Sequence, residues 1–298
     1  MRRLGGWVIP VLAVLAVAGC GSSKSSSTAS TTSSSSGEGS VAAIAAQVPA
    51  PIKSKGTLNI GIEAQYAPNE FLAPDGHTVI GMDADMITAI AHVMGLKVNL
   101  INSNFEAIIP GIQAGRYDLG VSSFTDTKER EKVVDFVTYY SAGISFYAKT
   151  AASPGVKTIG DLCGKKVAVQ KGTVEEEEAK AQSTKCTKEG KKSVDVLSFT
   201  NQNPVNLAVA SGRAELGMAD SPVVAYQIKQ SNGAFKLIGE SYNFKPYGFA
   251  IAKTAGMTTP ILAAVKHLMS NGTYTQILTK WGIQSGAISN PKINGAIS

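Results

Sequence analysis

The chain has 298 residues, 44% of them apolar, and sets 28 lysines and arginines against 22 acidic residues for a formal charge of +6. That length supports one large domain or two lobes with cores of their own. The basic excess is mild and forms no stripe interleaved with aromatics, so a nucleic-acid partner is not expected.

The opening twenty residues, MRRLGGWVIPVLAVLAVAGC, carry two arginines, an uncharged run from Leu4 to Ala18 and small residues before Cys20. This is the pattern of a secretory signal, residues 1–19, rather than of a spanning helix. Val17-Ala18-Gly19-Cys20 resembles a bacterial lipobox, in which the cysteine becomes the lipidated first residue of the mature chain. An ordinary signal peptide with an incidental Cys20 is the alternative. Cleavage removes Arg2 and Arg3 and lowers the formal charge from +6 to +4. Residues 20–56 are expected to form a lipidated tether, because the Ser/Thr/Gly tract 21–40 has no apolar periodicity to fold around. A lipid at one end of a tether implies a globular cargo at the other, outside the cytoplasmic membrane.

From Thr57 the pattern changes. TLNIGI (57–62) reads as a strand. MDADMITAIAHVMG (82–95) sets Met82, Met86, Ile90 and Val93/Met94 at helical spacing and stops at Gly95. LKVNLIN (96–102) alternates as a strand, FEAIIPGIQAG (105–115) reads as a helix, and YDLGV (117–121) as a further strand. The rhythm returns in KKVAV (165–169), a helix from Thr173, VDVLSF (194–199), a helix in NPVNLAVASG (203–212), and ELGMA (215–219). Strands alternating with helices predict an α/β fold with mainly parallel sheets. AGRYDLGVSS (114–123) also lies without gaps over SGRAELGMAD (211–220), which places Ser123 and Asp220 at equivalent strand ends. Ligands of open α/β sheets bind beyond the carboxyl ends of strands, so the two ends can face one cleft. Hydroxyls and Arg130 on one side and a carboxylate on the other would complement an amino acid zwitterion.

Apart from Cys20 only Cys163 and Cys186 remain, and two cysteines in an oxidising compartment allow one disulfide. Two separate buried thiols are the alternative. His77, His92 and His267 lack zinc-motif spacing, and neither a Gly-rich phosphate loop nor a G-x-S-x-G elbow is present, so no metal or cofactor is expected. The run EEEE (175–178) reads as a solvated face at a helix N-terminus.

The stretches YAPNEF (66–71), GMDADM (81–86), FEAIIPGIQAGRYDLGVSSFTDTKEREKVVDF (105–136), VAVQKGT (167–173), MADSP (218–222), KPYGFAIAK (245–253) and NGTYTQILTKWG (271–282), in this order and spacing, resemble the extracytoplasmic solute-binding proteins of ABC transporters for polar amino acids. The resemblance implies their two-lobed type II periplasmic binding fold, with a large lobe of 57–140 and 245–298, a small lobe of 145–243, and crossovers near 140–144 and 244–248. It implies that Arg130 clasps the ligand α-carboxylate bidentately. Ser123, Thr125, Thr173 and the backbone at Val174 would surround that carboxylate, and Asp220 would hold the α-amino group. Tyr66 and Phe105 would enclose the side chain, and Glu63 would reach its distal end. Asp126 with Glu129 reads as a capping box of the helix that carries Arg130. Glu63 favours glutamine, arginine or lysine over glutamate, unless Lys171 turns inward. The implied partners are the free amino acid, the permease and the membrane, with a monomer binding and releasing its ligand unchanged. An exported enzyme on the same fold, dehydratase or lytic transglycosylase in type, and a sensory ligand-binding subunit are the competing readings.

Overall fold

The alternation of strands and helices folds as two copies of one motif. In the computed structural model, which describes residues 41–297, helices α1 (Ala42–Ala45) and α2 (Ala50–Lys55) lead into β1 (Thr57–Ile62). A small antiparallel sheet follows, made of β2 (Gln65–Tyr66), β3 (Glu70–Leu72) and β4 (Val79–Ile80). The first copy then runs through α3 (Met82–Val93), β5 (Lys97–Asn102), α4 (Phe105–Gln113) and β6 (Leu119–Gly120). The short helix α5 (Lys128–Glu131) precedes the long strand β7 (Asp135–Lys149). The second copy is β8 (Lys166–Gln170), α6 (Val174–Lys188), β9 (Asp195–Phe199), α7 (Gln202–Ala210) and β10 (Leu216–Asp220). Helix α8 (Ser221–Gln230), the long strand β11 (Phe235–Ile251), α9 (Thr258–Ser270) and α10 (Thr273–Trp281) close the chain.

β5, β1 and β6 form one parallel triplet, and β9, β8 and β10 form the other. β11 and β7 lie between the triplets, antiparallel to each other and to their neighbours, so the sheet order is β5-β1-β6-β11-β7-β10-β8-β9. The two lobes are therefore built alike on either side of a pair of crossing strands. The crossovers expected near 140–144 and 244–248 fall inside β7 and β11, where the ladder shifts register between Tyr242 and Lys245 and again between Tyr247 and Gly248.

The internal sequence echo is a structural one. Gly115 and Gly212 each follow a helix with left-handed φ, +71° and +77°, a conformation glycine adopts without a Cβ penalty. Each turn feeds a strand, β6 or β10, that ends at the cleft. Core packing divides with the copies: Leu58, Ile60, Met86 and Ile90 pack with Val265 and Leu278 on one side, and Leu162, Val167, Val169 and Met218 pack on the other.

One expectation needs correction. Residues 41–56 are not part of the tether expected over 20–56: Val41 donates its amide to Val93 O at 2.9 Å, and Ile44 and Val48 are buried among the residues of α3 and α9. Val41, Ile44 and Val48 recur at helical spacing, and that apolar stripe holds this stretch against the large lobe. The signal segment, the Cys20 lipidation site and the Ser/Thr/Gly tract lie outside the described residues. Cys163 and Cys186 are bonded, with Cα atoms 5.5 Å apart, and tie the entry to β8 to the end of α6. Among the described residues no helix is long and apolar enough to cross a membrane.

Candidate functional site

The carboxyl ends of both triplets open on one pocket between the lobes. Glu63 follows β1, Ser122 and Ser123 follow β6, Gln170 ends β8 and Asp220 ends β10, and all five line it. Tyr66, Phe105, Thr125, Arg130, Thr173, Val174, Glu70 and Glu175 complete the wall. Every residue singled out for ligand contact in the sequence thus reaches the same pocket. The space left inside it for a water-sized sphere is about 10 Å³, so the lobes are closed on each other in this state and a ligand enters only when they part.

Arg130 is turned inward from α5 and is partly buried. Its Nη1 donates to Thr125 O at 2.8 Å, and its Nη2 donates across the cleft to Gly172 O at 3.0 Å. The guanidinium also lies over Phe105 (5.5 Å) and Phe124 (5.7 Å), whose rings stack 4.6 Å apart. Two carbonyls and two ring faces therefore fix the plane of the fork before any anion arrives. The capping box expected of Asp126 and Glu129 is absent. Thr127 caps the helix by accepting from Arg130 N, because Asp126 is buried and accepts from Gly295 N at 2.7 Å instead. Burial raises the Asp126 carboxyl to about 7.

Ser123 has φ +49°, a left-handed conformation unusual for a residue with a Cβ. Its amide donates to Asp83 Oδ2 at 2.7 Å, and its hydroxyl bridges Asn69 and Glu70. Tyr139 donates to the other Asp83 oxygen at 2.6 Å. A buried acid pair, Glu70 and Asp83, thus holds the strained turn beneath the pocket floor, and desolvation pushes both carboxyls up.

Asp220 occupies the N-cap position of α8 without capping it. Its Oδ2 instead accepts from the Tyr66 hydroxyl at 2.8 Å, and the same hydroxyl accepts from Asp220 N at 3.0 Å. Tyr66 belongs to the large lobe and Asp220 to the small one, so this exchange crosses the cleft. Burial raises the Asp220 carboxyl to about 6, opposed by its hydrogen bonds and by Arg130.

The acidic run of α6 is a solvated face only in part: Glu177 is exposed, whereas Glu175 and Glu176 are buried. Thr173 caps the helix through Glu176 N at 3.3 Å, and Glu176 is held by Lys180, Ser198 and the Gly172 amide. Glu175 faces the pocket, and burial pushes its carboxyl well up. Glu175, Ala179, Gln182 and Cys186 form one buried stripe at helical spacing, which turns the first glutamate of the run inward. The Gly172 amide, already bonded to Glu176, is not among the groups facing a ligand carboxylate.

Glu63 is held from across the cleft. It accepts from Gln170 Nε2 and Asn201 Nδ2, each at 3.2 Å and each from the opposite lobe. Desolvation raises its carboxyl from 4.5 to about 7 against those two bonds. Lys171 points outward to Glu106 at 2.8 Å and leaves the local charge negative. Gln170 and Asn201 were not identified from sequence; both stand at ends of small-lobe strands equivalent to those that supplied the other contacts.

Two similar lobes closing on a small charged pocket at the strand ends define a periplasmic-type binding protein, whose ligand is enclosed between lobes. The chain belongs to the bacterial extracellular solute-binding proteins, family 3, which it matches over residues 58–284. It is 35% identical over 255 residues to the arginine-binding protein ArgT of Corynebacterium glutamicum, covering 85% of this chain and 83% of that one. Among solved structures it is similar to an ancestral arginine-binding protein bound to arginine, at 34% identity and TM-score 0.69, over 76% of this chain and 98% of that one. It is also similar to an ancestral amino acid-binding protein described as a precursor of cyclohexadienyl dehydratase, at 33% identity and TM-score 0.70, over 78% and 97%.

Proposed function

We propose that this protein captures a basic L-amino acid, arginine foremost, outside the cytoplasmic membrane and delivers it to an ABC permease. The observation that carries the reading is the acid excess of the pocket wall: Glu63, Glu175 and Asp220, each desolvated and so favoured to ionise only against a cation, line it with one basic side chain, Arg130. A neutral zwitterion satisfies Arg130 and one carboxylate and leaves the other acids desolvated, at a cost that a second ligand cation removes. Arg130 takes the α-carboxylate with Ser123, Thr125, Thr173 and the backbone at Val174 around it, and Asp220 takes the α-ammonium. Tyr66 and Phe105 cover the aliphatic stem, and Glu63 meets the distal cation. The names of the relatives, which bind arginine, support the same ligand class.

The large lobe comprises 57–140 and 245–298 and the small lobe 145–243; closure of one on the other is the state the permease reads. The chain acts as a monomer held to the membrane by a lipid on Cys20, and it releases its ligand unchanged. The likeness to a dehydratase precursor makes turnover the competing reading. Calorimetry with arginine, lysine, ornithine, glutamine and glutamate tests the assignment, together with mass analysis of recovered ligand. Preference for glutamate, or conversion of the bound amino acid, overturns it.

A further inference from the structure

Glu175 is 2% exposed, lines the pocket, and has one carboxyl oxygen, Oε1, with no hydrogen-bond partner. A buried acceptor of this kind costs stability unless something satisfies it, and in a binding pocket the ligand is the natural donor. The charges that reach it are those of Asp220 on β10, Tyr66 on β2, Arg130 on α5, Glu178 on α6 itself and Tyr242 on β11. Arg130 is the one permanent cation in that set, and its Nη1 and Nη2 donate to Thr125 O and Gly172 O. Glu63 lies at a different place, against Gln170 and Asn201, and its field acts on Glu70. The acids therefore divide into two groups, with Glu175 beside Asp220 and Arg130.

We propose that Glu175 is a second ligand-contacting carboxylate, paired with Asp220 around the α-ammonium group, so that this end of the pocket selects α-amino acids over analogues lacking the amino group. The proposal rests on the basic amino acid reading. Tyr66 already takes one acceptor position of Asp220 Oδ2 in the closed cleft, so Asp220 offers an ammonium fewer free positions, and Glu175 Oε1 supplies another acceptor. A tetrahedral ammonium has three donors to place, and a two-carboxylate seat satisfies them where one occupied carboxylate does not. A protonated pair in the absence of ligand also avoids two bare charges side by side.

The test compares L-arginine with 5-guanidinopentanoate, which is arginine without its α-amino group, on the wild-type protein, Glu175→Gln and Glu175→Asp. Glu175→Gln is expected to weaken arginine by about tenfold or more while changing the desamino analogue less than about threefold. Glu175→Asp, which keeps the charge but withdraws it by one methylene, should fall between, and it carries the comparison should the glutamine variant not fold. Equal losses on both probes, or unchanged arginine affinity, overturn the proposal while the wild-type binding stands. Wild-type protein that binds no arginine, lysine or ornithine overturns the basic amino acid reading itself, and this proposal with it.

Discussion

Acidification should release the ligand, and Glu63 sets most of the effect. Its carboxyl is raised from 4.5 to about 7 by desolvation, which corresponds to about 3 kcal/mol in favour of the neutral acid when the lobes are closed without a cation. A guanidinium or ammonium facing Glu63 requires the ionised form and must expel that proton. Affinity for arginine should therefore be level above pH 7 and fall about tenfold per pH unit below it, reaching about a hundredfold at pH 5. In the protein without ligand the sign is opposite. The folded state holds a proton that the unfolded chain releases above about pH 4.5, so about 3 kcal/mol of stability is present below that pH and lost as pH rises through 7. Titration calorimetry from pH 5 to 8 at constant ionic strength, on wild type and Glu63→Gln, measures the binding profile, and urea unfolding of the ligand-free proteins over pH 4 to 8 measures the stability profile. The substitution should remove the part of the fall set by Glu63 and leave that set by Asp220, whose carboxyl stands at about 6, and by Glu175 beside it, whose carboxyl is also raised by burial. Wild-type affinity constant within threefold across that range, or an identical slope in Glu63→Gln, refutes the reasoning.

Arg130→Ala should abolish measurable binding of every amino acid with the melting transition retained, a loss of about 2 to 5 kcal/mol for a charge-assisted bidentate contact; wild-type affinity by calorimetry would remove it from the site. Cys163→Ser with Cys186→Ser should lower unfolding free energy by about 3 kcal/mol through the loop the bridge closes, read from urea midpoints. Gly172→Ala should weaken ligand binding by hindering closure: φ is +78°, and a Cβ there would stand 3.0 Å from the Glu106 Cβ of the opposite lobe. An unchanged affinity in that variant would show that the lobes do not approach this closely when ligand is bound.

The α/β rhythm was legible because each strand and helix keeps its own apolar period. Gly95, Gly115 and Gly212 mark helix ends that the structure reproduces within one or two residues. The contacts that sequence missed have physical reasons. Glu175 sits in a run of four glutamates at a helix start, a place where acids are favoured by the helix dipole whether or not they are buried. Only the stripe of Ala179 and Cys186 behind it marks the inward face, and that stripe is interrupted by Gln182. Gln170 and Asn201 are polar residues at strand ends, chemically ordinary until the opposite lobe brings Glu63 to them. Asp126 and Glu129 have the spacing of a capping box, but the tertiary contact to Gly295 takes the Asp126 carboxylate, and Thr127 serves instead.

Tyr66 holds Asp220, Glu63 is held by Gln170 and Asn201, and Arg130 reaches Gly172, so the lobes close through the same side chains that line the pocket. A ligand therefore exchanges with cross-cleft bonds rather than simply adding to them, and only its surplus over those bonds favours closure. A poor match returns less than it displaces and opens the cleft. The rim contacts do not take part in that exchange: Lys171 pairs with Glu106, and Phe71 of the large lobe meets Tyr226 of the small lobe at 6.2 Å, both away from the pocket wall. These contribute equally whatever the ligand. On the proposed reading the bonds of Asp220 are replaced by the α-ammonium that all amino acids share, so discrimination between amino acids would rest on how well each side chain replaces the bonds of Glu63 rather than on the lobe surface that closes over them.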